Sequence, residues 1–155
     1  MKFLLVTIVM LSALPMQTKV AGQEKPAQVI ADFEDKEFLE GKKTTHSASV
    51  TLVDDVPEEV GELSVKTAVA ADAGAKSFFG AGFKIPQTDF TKFGEIRFWI
   101  KADFESGFNF QVSSGAGKTS VFPFSTAGSI GKWKLVTVPL SKFSKPPWAN
   151  QPAEM

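Results

Sequence analysis

The sequence predicts an all-β domain of the β-sandwich or jelly-roll class. Stretches in which apolar and polar residues alternate recur at roughly 10–15-residue spacing and give about eight short strands. Clusters rich in Gly, Pro, Asp and Ser separate them, as turns require. No stretch holds the apolar period of a long helix. The 155 residues suffice for one domain with an adequate core.

The chain opens on Met1-Lys2, a short positive start. Phe3–Leu14 follows, a largely apolar run of 12 residues. As a helix it is too short to cross a bilayer and of the right length for a signal-peptide core. Val20-Ala21-Gly22 places small residues at the expected distance, so residues 1–22 read as a signal peptide cleaved after Gly22. The competing reading is a buried N-terminal helix or strand. Cleavage removes Lys2 and Lys19 and leaves 15 positive and 17 negative side chains, a net charge of −2. The expected location is secreted or periplasmic, with no membrane partner after cleavage. No Cys is present, so no disulfide framework and no cysteine-linked lipid is expected. The balanced charge gives no basic patch for nucleic acid.

Residues 23–28 form a polar leader, and the β-sandwich domain is expected over 29–145. Val29–Phe33 is a short strand that ends among Asp32, Glu34, Asp35 and Glu37. Gly41–Ser47 reads as a loop. Ser47–Val53 alternates Ser47, Ser49 and Thr51 with Ala48, Val50 and Leu52, a half-buried strand. Asp54–Gly61 carries Pro57 and four acids and is a turn. Leu63–Val69 alternates again. Ala70–Ala75 is a small-residue loop. Ser77–Ile85 is a strand in which Gly80 and Gly82 leave room for close backbone approach. A tight turn at Asp89–Phe93 leads into Phe93–Asp103, the best strand candidate. There Ile96, Phe98 and Ile100 point one way, and Arg97, Trp99 and Lys101 the other.

Gly107–Ser113 is equally clean, with Phe108, Phe110 and Val112 inward and Asn109, Gln111 and Ser113 outward. A Gly-rich turn at Ser114–Thr119 precedes Ser120–Phe124, a strand whose Pro123 predicts an edge or a bulge. Gly128–Lys132 turns the chain into the strand Trp133–Leu140, and Ser141–Phe143 follows. Residues 146–155 are a Pro-rich C-terminal segment without periodicity, the expected point of truncation.

Few residues carry reactive chemistry. Gly115-Ala116-Gly117-Lys118-Thr119 resembles the end of a phosphate-binding loop, but the first required Gly is Val112, and SVFPF rather than a helix follows. A Gly-rich hairpin is expected instead. Gly80-x-Gly82 lacks the third Gly of a dinucleotide fingerprint, because position 85 is Ile. His46, the single His, reads as a solvated loop residue, and zinc is not expected. Asp54-Asp55 and Glu58-Glu59 are adjacent pairs in a turn, whose side chains diverge and serve solubility rather than flank a cleft. Asp32, Glu34 and Asp35 at a strand end suit a hard cation such as Ca²⁺, against the reading of solvated edge charges. Trp133 is expected in the core and Trp148 exposed. Trp99 divides evenly between packing and a flat platform for a sugar ring.

ADFED at 31–35, GELSVKTAV at 61–69, TDFTKFGEIRFWIKAD at 88–103 and WKLVTVPLSKF at 133–143, in this order, resemble the galactose-binding-domain-like β-sandwiches among carbohydrate-binding modules of secreted bacterial enzymes. They cover most of residues 29–143. The set is also similar to the complex I intermediate-associated protein family, whose members act in assembly or bind partners rather than sugars. The resemblance implies polysaccharide on a sheet face. Arg97, Trp99 and Lys101, with Asn109, Gln111 and Ser113, are then the binding residues. It also implies a structural Ca²⁺, with Glu34 matching the first-strand acid and Asp32 nearby. Such modules continue past the VPLSKF-like segment into an apolar–Asp-Asp–apolar strand that this sequence does not hold. The expectation is a fragment lacking its last strand or strands, and its calcium site is open to question.

The sequence thus predicts a secreted, non-catalytic module that binds polysaccharide or oligosaccharide. The alternative is a protein-interaction or assembly module of the same fold, with a partner protein as ligand. A hydrolase is the third and weakest reading.

Overall fold

The computed structural model describes residues 4–14, 28–34, 43–45, 48–58, 60–69, 80–85, 88–114 and 117–153. The chain is all-β, as the alternation predicts. Its described strands are β1 (Leu4–Leu14), β2 (Gln28–Ala31), β3 (Lys43–Thr45), β4 (Ala48–Val53), β5 (Ser64–Val69) and β6 (Gly80–Gly82). After a 3₁₀ turn at Phe90–Lys92 come β7 (Glu95–Ala102), β8 (Gly107–Ser114), β9 (Lys118–Ser125) and β10 (Lys134–Pro139). A second 3₁₀ turn, Leu140–Lys142, closes the series.

The largest sheet runs β10-β7-β1-β5-β4, with β2 also paired to β1, and all its pairings are antiparallel. β7 lies inside it because its inward residues tolerate no water: Ile96 and Phe98 are 0% exposed, Ile100 1% and Ala102 0%. β8 and β9 form a hairpin in register from Gly107↔Ser125 to Ser114↔Lys118. No helix follows Thr119, so the Gly-rich stretch is the expected hairpin, with Gly117 at φ +76°. A two-stranded sheet has only edges, which admits Pro123 without a bulge.

The hairpin lies over the inner face of β7 through phenylalanine. The Phe98 ring stacks on Phe110 at 4.8 Å and meets the edge of Phe124 at 5.7 Å. Phe110 also meets Phe143 edge-on at 6.0 Å. These contacts, with Val65, Val112, Val138 and Leu140, form the core.

A buried polar turn sets the position of β10. Thr126 Oγ1 donates to the Phe104 carbonyl at 2.8 Å and accepts from the Ser106 N–H at 2.8 Å. Ser129 Oγ donates to the Thr126 carbonyl at 2.6 Å, and the Ser129 carbonyl accepts from the Ala102 N–H at 3.0 Å. Both side chains are fully buried and hydrogen-bonded, as buried hydroxyls require. The turn delivers Trp133 beside the end of β7.

Some segments differ from expectation. β3 lies inside the expected loop at Gly41–Ser47 and pairs with β6, Thr45 opposite Gly80 and Lys43 opposite Gly82. Three residues are too few for an alternation to register in sequence. Of the expected strand Ser77–Ile85, residues 77–79 lie outside the described residues, and Gly80–Gly82 is the strand seen. The chain from Ser144 into the expected C-terminal segment docks along β9: Ser144 and Val121 exchange N–H···O bonds of 2.8 and 2.9 Å, and Thr119 donates to the carbonyl of Gln151, within that segment, at 2.9 Å. The apolar run of the expected leader is a strand between β5 and β7.

Candidate functional site

β7 presents Glu95, Arg97, Trp99 and Lys101 on the face away from the core, because that face alternates with Ile96, Phe98 and Ile100. Trp99 is half-buried. Its cross-strand partner on β10 is Leu135, which is 42% exposed. Indole and isobutyl group therefore share one outward apolar strip.

An ion pair stands at each end of that strip. Nε and Nη2 of Arg97 both reach Glu95 Oε1, at 2.8 and 2.6 Å. Lys101 Nζ donates to both oxygens of Asp55, at 3.0 and 2.7 Å. Trp133 Nε1 donates to Asp55 Oδ1 at 3.1 Å, and Lys101 Nζ stands 6.0 Å from the Trp133 ring centre. Trp133, expected in the core, is half-buried on this outward side, because its N–H has a carboxylate to meet there.

Asp55 is the residue that the sequence did not single out. Reading Asp54-Asp55 as a solvated turn pair fits Asp54, which is exposed, but not Asp55. Lys101 lies 46 residues away and Trp133 78, so only tertiary pairing brings them together. Burial alone would raise its pKa. The hydrogen bonds from Lys101 and Trp133 and the charges of Lys101 and Lys66 outweigh that and hold the carboxyl below its usual range. A depressed folded-state pKa gives stability that is present above the unfolded value and lost as pH falls through the folded one. Stability is therefore expected to drop as pH falls below about 4. In Asp55→Asn that acid-side slope should be shallower, as thermal melts across pH 2–6 would show.

Asn109, Gln111 and Ser113 lie elsewhere. They occupy the outward face of β8, whose inward Phe108 and Phe110 pack toward β7. Since Phe98 and Phe110 meet in the core, the outward residues of β7 and those of β8 point to opposite sides of the molecule. Gln111 Nε2 donates to Ser113 Oγ at 2.9 Å, and that hydroxyl lies 3.1 Å from Thr119 Oγ1. Beside them a shallow depression of about 390 Å³ is lined by Gly107, Phe108, Asn109, Pro123, Phe124 and Ser125. The structure unites Arg97, Trp99 and Lys101, and separately Asn109, Gln111 and Ser113, but not the six together.

Asp32 and Glu34 follow β2. Buried Phe33 between them takes a left-handed φ of 63° and meets Phe83 edge-on at 5.7 Å. Glu34 Oε1 accepts from the N–H groups of Glu62 and Leu63 at 2.8 and 3.3 Å, and Asp32 Oδ1 from the Glu34 N–H at 3.4 Å. One oxygen of each carboxylate thus accepts from a backbone N–H, and these two carboxylates alone would supply only part of the six to eight oxygen ligands that calcium takes. Asp35 and His46 lie outside the described residues. Gly61 has φ +58°, and a Cβ there would run into Glu34 Oε1. Gly61→Ala is expected to cost about 1–3 kcal/mol in urea unfolding. Part of that loss should vanish in a Glu34→Ala background, where the clash is gone.

Trp148 is 65% exposed, as expected. Among the described residues no helix is long and apolar enough to cross a membrane. Comparison with known proteins finds no matching family, curated protein or solved structure.

Proposed function

We propose that the protein is an exported, non-catalytic β-sandwich module that binds polysaccharide on the outward face of β7. One observation carries this reading: Trp99 lies beside exposed Leu135, with the Arg97–Glu95 and Lys101–Asp55 pairs at either end. An apolar strip edged by charged hydrogen-bonding groups suits a sugar ring, which offers C–H faces and a rim of hydroxyls. Arg97 uses Nε and Nη2 on one oxygen of Glu95, which leaves its Nη1 and Glu95 Oε2 to meet hydroxyls. Asp55, held in its charged form, is suited to accepting a hydrogen bond and poorly suited to donating a proton. That favours binding over hydrolysis.

The test is a titration of intrinsic tryptophan fluorescence with soluble polysaccharides, run beside affinity electrophoresis in gels containing the same glycans. A saturable shift with one glycan class is the expected result. No response to any glycan from a folded protein would overturn the reading. The exposed apolar strip of Leu135 and Trp99 would then favour the second reading, a protein-interaction or assembly module of the same fold. A structural Ca²⁺ at Asp32 and Glu34 would compete with the Glu62 and Leu63 amides for Glu34 Oε1. Addition of millimolar Ca²⁺ is expected to leave Tm unchanged, and a rise of several degrees would restore the ion to the proposal.

A further inference from the structure

Beyond β10 the chain forms a clamped turn that holds an indole in water. Ala149 donates to the Pro146 carbonyl at 3.1 Å, which closes a four-residue turn with Pro147 and Trp148 at its tip. Proline suits the first tip position because its φ is already set. The feet of the turn, Pro146 and Ala149, are buried. Lys145 Nζ reaches across to the Ala149 carbonyl at 3.1 Å. The Asn150 N–H donates to the Gly117 carbonyl at 3.2 Å, and the Ala153 N–H to Ser120 Oγ at 3.0 Å, so the segment is tied to β9 and to the turn before it. Trp148 is nevertheless the most exposed of the large apolar side chains described, at 65%. The exposed amides of Asn150 and Gln151 follow it. An indole left in water adds little to folding, whereas one carried on an anchored turn loses little backbone freedom on binding.

The surrounding chain is cationic. From Ser106 through Ala153 it holds Lys118, Lys132, Lys134, Lys142 and Lys145 and no Asp or Glu. Lys145 sets its ammonium against the turn itself, and Lys118 lies in register beside Gln151. None of the described ion pairs includes Lys145, whereas the cations of the β7 face, Arg97 and Lys101, each stand on a carboxylate already. We propose that Trp148, with Lys145, Asn150 and Gln151, forms a second binding site, which takes a uronic-acid residue of an acidic polysaccharide. The indole meets the C–H face of the sugar, the amides meet its hydroxyls and Lys145 meets its carboxylate. One N–H of Lys145 is spent on Ala149, and the two others match the two oxygens of a carboxylate, as Lys101 Nζ matches both oxygens of Asp55. A lipid surface fits less well. Among the described residues of 141–153 no second large apolar side chain is exposed, and burying the flanking amides in lipid would cost their hydrogen bonds to water. The site stands independently of the reading of the β7 face.

The test is affinity electrophoresis of the full chain in gels containing polygalacturonate, dextran sulfate or neutral dextran, with flotation on phosphatidylglycerol vesicles as a parallel arm. Retardation by polygalacturonate that fades between about 20 and 200 mM NaCl is expected, with none by neutral dextran. Trp148→Ala should weaken it about tenfold and Lys145→Gln about threefold, while Lys145→Arg, which keeps the charge, should keep most of it. If Trp148→Ala melts several degrees lower than the unaltered protein, Asn150→Ala with Gln151→Ala decides in its place: weaker retardation of that folded variant supports the site, and unchanged retardation overturns it. No retardation by polygalacturonate, or retardation untouched by a folded Trp148→Ala, would overturn the proposal. So would equal or stronger retardation by dextran sulfate at matched charge, or binding to the vesicles alone. Loss of retardation in Trp99→Ala rather than in Trp148→Ala would move the acidic ligand to the β7 face and remove the second site.

Discussion

Replacing Phe98 by alanine is expected to cost about 3–5 kcal/mol of unfolding free energy. The side chain is 0% exposed, stacked on Phe110 and edge-on to Phe124, so its removal empties the junction between the large sheet and the β8–β9 hairpin. Among the described strands no backbone ladder joins the hairpin directly to that sheet, so the Phe98 contacts are a main link between them, beside the Ser144–Val121 bonds and the Thr126 turn. Against a typical total of about 5–15 kcal/mol, such a loss is large enough to unfold part of the population. Urea unfolding followed by far-UV circular dichroism measures it. Phe110→Ala should cost less, because Phe110 is only half-buried, and the double mutant should show coupling of about 0.5–1.5 kcal/mol from the stacked pair. If Phe98→Ala does not fold, Phe98→Leu, which keeps most of the volume, gives a measurable smaller loss. A loss below about 1 kcal/mol for the alanine variant would mean that the hairpin does not rest on β7.

Alternation carried much of this into the sequence. In β7 and β8 one face is buried, so period two separates inside from outside residue by residue, and Ile96, Phe98 and Val112 are where that pattern puts them. Period two is silent on which outside. Arg97, Trp99 and Lys101 and the set Asn109, Gln111 and Ser113 all read as outward and so as one site. With Phe98 packed on Phe110, the two outward sets face away from each other. Likewise the pairing of Asp55 with Lys101 and Trp133 joins three separate stretches, and no local pattern marks it. Trp133 shows the limit of residue type: a large aromatic reads as core, yet its indole N–H gains a carboxylate partner on the outward face. Leu4–Leu14 shows another limit. A short, largely apolar run is compatible with a leader, a buried helix or a central strand, because periodicity alone does not separate them.

Trp99→Ala is expected to weaken polysaccharide binding at least about 30-fold, a loss on the order of 2 kcal/mol. The same change should cost the fold under about 1 kcal/mol, because Trp99 lies outward and its neighbour Leu135 is 42% exposed already. Removing the indole also removes the reporter closest to the proposed ligand, leaving Trp133 and Trp148, so binding is measured by calorimetry on the full chain. A second variant, Asn109→Ala with Gln111→Ala and Ser113→Ala, decides between the faces. One glycan chain on the β7 face cannot touch β8's outward side across the Phe98–Phe110 core, so this triple variant should bind as the unaltered protein does. Loss of binding in the triple variant alone would move the site to β8 and its shallow depression. Unfolding of Trp99→Ala would make the indole part of the core and remove the platform on which the sugar reading rests. Binding unchanged in both variants would place the ligand on neither face. The strength of the comparison is that each variant is the other's control: both alter outward residues, and only their side of the molecule differs.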